Sequence, residues 1–182
     1  MGCINYNCGE YPEQVLNACG DGLLGGIDQV VLLDCDNQLT DPSNGTQVQA
    51  EITAGRAVLY KNIKVGFEAP SPVEVDSSVA GQRPKAIAND YSATWEDANV
   101  NSSSSAAYNS LDASSGIAIG AMICHLVDED EVIYVAPPKG IYMKGSLMVP
   151  NDNNAEVKYM FTLDWRQQGS PSVYAAPAGI FD

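Results

Sequence analysis

Strict two-residue alternation of apolar and polar side chains, sustained along whole segments, is the feature that most constrains this chain. In the segment Ala155–Asp164 and just beyond it, Val157, Tyr159, Phe161, Leu163 and Trp165 interleave with Lys158, Met160, Thr162 and Asp164. A β-strand sends successive side chains to opposite faces, so this stretch reads as a strand with one dry face and one wet face. Lys85–Val100 repeats the pattern. Ile87, Asn89, Tyr91, Ala93 and Trp95 fall on one side, and Ala86, Ala88, Asp90, Ser92, Thr94 and Glu96 on the other.

Other segments fill in a β-rich chain. Ile27–Cys35 holds a continuous Val-Val-Leu-Leu run, which suggests a strand buried on both faces. Gln47–Thr53 alternates as QVQAEIT and reads as a strand with Val48, Ala50 and Ile52 on one face. Ala57–Phe67 reads as another. Pro70 and Pro72 should then break the ladder, and Val73–Pro84 should form a long polar loop or hairpin tip. Ile117–Val127 and Glu131–Ala136 flank an acidic turn as one hairpin, and Ile141–Val149 and Ala155–Asp164 flank PNDNN as a second. The helix candidate is NSSSSAAYNSLDASSG, capped by Ser103 or Ser104 and ended by Gly116. The expected fold is mainly β: an antiparallel β-sandwich or barrel of about eight strands, with one short flanking helix and extended termini. Residues 1–26 are an N-terminal arm with a short helical stretch at Glu13–Ala18, 27–166 the core domain, and 167–182 an extended C-terminal tail.

Charge narrows the partners. Twenty-three acidic residues face nine basic ones, for a net charge of −14. Such a chain is repelled by phosphate backbones and anionic lipid surfaces. The longest apolar run, around Gly116–Leu126, is too short to span a bilayer as a helix, and no secretory signal is visible at the N-terminus.

The search for chemistry comes back thin. The five cysteines form no Cys-x-x-Cys pair, and the sole histidine, His125, adjoins Cys124. Adjacent strand residues point to opposite faces, so these two cannot act as a pair. The reading is reduced, mostly buried thiols. The cluster Asp128–Glu131 reads as a solvated turn, and Asp34, Asp36 and Asp41 lack the Gly and Glu of a calcium loop. No nucleophile elbow or phosphate loop is present. No catalytic, cofactor-binding or metal-binding residue is expected, and no enzyme activity. Trp95, Tyr134, Tyr142 and Trp165 leave open a carbohydrate-binding β-sandwich module.

The layout, together with the stretches GGIDQVVLLD and YMFTLDWRQQGSPSVYAAPAGIF, resembles a phage tail tube subunit. The opening and the tail also look like virion proteins of phages infecting Bacteroidota, including the crAss-like group. The resemblance implies a virion structural protein, assembled in the host cytoplasm and located in the tail. It implies homomeric rings, usually hexameric, and contacts with other virion proteins. It also implies an acidic lumen through which DNA passes without specific binding. The short central loop and the Cys-bearing N-terminus depart from the tube pattern and leave room for a connector ring. A capsid decoration or head-fibre protein is the alternative virion role. The expected subunit interface residues are Gly81, Tyr174, Ile180 and Phe181, because exposed apolar ends seek partners.

Overall fold

The computed structural model describes residues 26–35, 37–61, 63–75, 85–97, 117–127, 130–149, 151 and 157–181. They form ten strands and one helix: β1 Ile27–Asp34, α1 Gly45–Thr53, β2 Ala57–Tyr60, β3 Lys64–Phe67, β4 Ser71–Val75, β5 Lys85–Asp97, β6 Ile117–Leu126, β7 Glu131–Val135, β8 Ile141–Met148, β9 Lys158–Gln167 and β10 Ser172–Ala175. Every pairing is antiparallel. Six strands close into a barrel in the order β1–β6–β8–β9–β5–β3 and back to β1. The remaining four hang off it: β4 pairs β5, β2 pairs β1, β7 pairs β6, and β10 pairs β7.

Alternation builds the barrel interior as the sequence requires. Tyr91, Ala93 and Trp95 of β5 and Tyr159, Phe161, Leu163 and Trp165 of β9 all point inward. They meet Val30 and Leu32 of β1, Met122 and Cys124 of β6, and Ile141 and Met143 of β8. Trp95 and Phe161 are packed 4.8 Å apart, and Tyr91 stacks on Trp165 at 5.4 Å. Each such burial contributes about 1.5–3 kcal/mol against the entropy of ordering the chain.

β1 and β6 are apolar on both faces because they serve a second core. Val31, Leu33, Ala121 and Ile123 point out of the barrel. There they are covered by Val48 of α1, Leu39, Tyr134 of β7 and Ile180 near the C-terminus. The run β2–β1–β6–β7–β10 is therefore an open sheet, one face on the barrel and the other under α1 and the tail. The tail threads closely past the helix: a Cβ on Gly45 would sit 2.3 Å from the carbonyl oxygen of Ala178.

Three local expectations fail here. Gln47–Thr53 is the body of helix α1, not a strand. Asn44 caps it, its side chain accepting from the Gln47 N–H, and Val48 with Ile52 gives an i, i+4 apolar pair that the alternating pattern masked. Ala57–Phe67 is two strands, not one, and the chain turns between Tyr60 and Lys64 so that β2 pairs β1 while β3 pairs β5. The prolines do not end the ladder either. Pro72 lies inside β4, opposite Asn89, which an edge strand tolerates because one of its sides needs no N–H donor. Val73–Val75, expected to begin a loop, belongs to β4; the rest of that Val73–Pro84 loop, residues 1–25 of the N-terminal arm and the helix expected over the serine-rich stretch lie outside the described residues.

Candidate assembly interface

A closed barrel has no edges, so attention falls on the strands outside it. Among the described residues three strands have a neighbour on one side only: β2, β4 and β10. Free edges carry unpaired N–H and C=O groups and template further pairing unless something blocks them. β4 is blocked, since it reads SPVEV, with a proline in the ladder and a carboxylate beside it. β2 reads AVLY and β10 reads SVYA, with neither proline nor charge. Val58 of β2 is 52% exposed and Val173 of β10 is 49% exposed, large fractions for valines in sheet.

The expected interface residues divide accordingly. Tyr174 lies in β10 and is 38% exposed, with one ring edge against Tyr134. Ile180 is buried in the second core of its own chain, so it is not an exposed end. Phe181 is partly buried: its ring stacks on His125 at 4.8 Å, and its carbonyl accepts from the Gln29 side chain at 2.9 Å. Gly81 lies outside the described residues. Of the exposed apolar residues on these two margins, the sequence reading named Tyr174 and did not name Val173 or Val58. Their signal was available, as β-branched residues in short strands without a charged neighbour.

The remaining exposed surface differs in character. The outer wall of the barrel, on β3, β5, β9 and β8, carries charge pairs together with exposed apolar side chains, among them Phe67, Ile87, Leu147 and Met148. Asp90 binds Arg166 in two hydrogen bonds, at 2.6 and 2.9 Å, and Lys158 reaches Glu96 at 2.8 Å. Lys64 stands opposite Glu96, and Lys144 lies over the Tyr142 ring. The Arg166 guanidinium holds the Asp90 carboxyl below its ordinary range, chiefly through the hydrogen bonds. Arg56 does the same for Glu51 beyond the end of α1. Among the described residues, Asp34, Asp41, Asp130, Glu131 and Asp164 form no ion pair.

Chemistry is sparse in the described residues. Cys124 faces the barrel core and burial pushes its thiol up to about 12, so it stays protonated. His125, on the opposite face, holds Asp28 through Nδ1 at 2.9 Å. No group of three or more His, Cys, Asp or Glu among the described residues is placed to hold a metal ion. No helix there is long and apolar enough to cross a membrane. Of the four aromatics named for a sugar platform, Trp95 and Trp165 are buried in the barrel and Tyr134 exchanges hydrogen bonds with Leu39, while Tyr142 is exposed beside Lys144.

No family model matches the chain, and no curated protein matches it. Among solved structures, a chain from the virion of a native gene transfer agent particle is similar at 12% identity and a TM-score of 0.35, covering 81% of this chain and 96% of that one. A likeness of that size settles neither fold nor role.

Proposed function

We propose that this protein is a structural virion subunit that assembles into homomeric rings of the tail tube or connector kind. The observation that carries the reading is the pair of unguarded edges, β2 and β10, at opposite margins of the single sheet run β2–β1–β6–β7–β10. Pairing of β10 in one copy with β2 in the next is head-to-tail. Repeated with rotation, it closes a ring and leaves neither of these two edges exposed. Two edges of four residues each, uncharged and apolar, fit that pairing without like-charge repulsion.

The reading keeps an acidic, DNA-conducting lumen. The chain's excess of 23 acidic over nine basic residues supports it, since on the barrel wall Asp90 and Glu96 are neutralised by Arg166 and Lys158 and the remaining carboxylates are available for a lining. There carboxylates repel phosphates and let DNA slide.

Negative-stain electron microscopy of the purified protein, beside its mass in solution, tests the reading. Rings or tubes with a central hole are the expected result. A monomer at all concentrations, or a compact trimer without a pore, contradicts it and favours a decoration role.

A further inference from the structure

The two open margins of the sheet run in the same direction. The run β2–β1–β6–β7–β10 has five strands, and each of its four pairings is antiparallel. Direction therefore reverses an even number of times from one margin to the other, so β2 and β10 are codirectional. A rotation about a ring axis leaves the sense of every strand along that axis unchanged. With the run wrapped around the axis, β10 of one copy meets β2 of the next with both pointing the same way. An antiparallel meeting needs a neighbour turned end over end, which a two-fold dimer supplies and a larger ring does not.

The faces of the two strands agree with that direction. Ala57 and Leu59 stand opposite Leu33 and Val31, on the face of the second core, and Val58 stands opposite Leu32, on the face of the barrel core. In β10, Ser172 and Tyr174 stand opposite Tyr134 and Val132 of the second core. Val173 stands opposite Ile133, which packs against the barrel core. Pairing Ala57 with Ser172 and continuing in parallel to Tyr60 with Ala175 matches like faces at all four positions. Val58 then meets Val173, each about half exposed in the single copy. Pairing all four residues antiparallel sets Val58 against Tyr174 and joins opposite faces, since successive strand residues alternate. Restoring the faces takes a one-residue slip and loses a pair.

We infer that the partner of β10 is β2 of a second copy in a parallel ladder, with Ala57 beside Ser172 and Val58 beside Val173. The inference rests on the ring reading above and fixes the direction and register of its seam. It makes the seam the one parallel pairing in a sheet whose described pairings are otherwise all antiparallel.

Disulfide trapping in the full chain tests it, read on non-reducing gels beside oxidised wild type, which gives the background from the native cysteines. Mass by light scattering is taken on the same samples before oxidation. A disulfide needs Cα atoms within about 7 Å. In the inferred seam Ala57 and Ser172 lie about one strand spacing apart, about 4.8 Å, whereas Ala57 and Ala175 are three residues out of step, roughly 11 Å. Ala57→Cys with Ser172→Cys is expected to give at least about tenfold more covalent multimer than Ala57→Cys with Ala175→Cys. Val58→Cys with Val173→Cys, which alters exposed positions only, is expected to link as well. Linking of 57 to 175 in place of 57 to 172 overturns the parallel seam, and with it any ring larger than a dimer built on these edges. Multimers in which Val58→Cys with Val173→Cys stays unlinked overturn the seam and leave the ring reading standing. Monomers of wild type under every condition overturn both.

Discussion

β4 and β10 are both edge strands of the same ten-stranded sheet, yet they are built to opposite specifications. β4 carries Pro72 and Glu74 and hangs on β5 alone. β10 carries Val173 and Tyr174, both partly exposed, and hangs on β7 alone. An edge costs nothing to guard in sequence terms, since one proline or one charge suffices. Where the guard is present, the edge is meant to face water. Where it is missing on a strand whose side chains are apolar, the edge is meant to be covered. On the proposed reading, assembly information sits in what the strand margins lack.

That contrast can be broken by exchanging the two specifications. The largest effect is expected from guarding β10. Val173→Lys with Tyr174→Lys should weaken self-association about a hundredfold or more, read as a fall in mass by light scattering. Thermal unfolding of the monomer should barely move, because exposed strand positions change stability by about 0.5 kcal/mol or less.

Ile180→Ala separates the tail's two roles. Ile180 fills the second core of its own chain, so its truncation should cost about 2–3 kcal/mol in urea unfolding. Equal loss of assembly without loss of stability would show that the tail serves a neighbour instead.

Unguarding β4 is the converse and smaller test. Pro72→Val with Glu74→Val should raise the apparent mass or the turbidity of concentrated solutions a few-fold, by opening a third edge. No change would mean that the proline and the carboxylate are incidental.

The smallest effect belongs to the wall. Asp90 has its pKa lowered by Arg166, so the pair stabilises the fold above the carboxyl's unfolded value and loses that contribution as pH falls through the folded value. Wild type and Arg166→Gln should differ slightly at about pH 5 and converge by about pH 2, with salt shrinking the difference, because both groups are exposed.

How far the sequence was legible follows from which forces are local. β5, β8 and β9 were readable because alternation is imposed by the strand itself and by one core face, and β1 and β6 because their continuous apolar runs bury both faces. Helix α1 was not, because QVQAEIT fits either period and its choice is made by the Asn44 cap and by the sheet face that Val48 must cover. The break between β2 and β3 was hidden for a similar reason: both halves are strand-like, and only the different partners of β1 and β5 separate them. Among the expected interface residues, Tyr174 was within reach as an exposed aromatic near the end. Ile180 was misjudged in its surroundings because a terminal apolar residue looks alike in sequence whether it plugs its own core or a partner's. Which strands end up at a margin is a property of topology, and no stretch of sequence carries it alone.

Amide hydrogen exchange by mass spectrometry, run at low and high protein concentration, tests the central claim most directly. The account predicts that peptides covering 57–60 and 172–175 gain protection as concentration rises, while 71–75 exchanges at the same rate throughout. Protection that is independent of concentration at β2 and β10, or that appears at β4 instead, would contradict it.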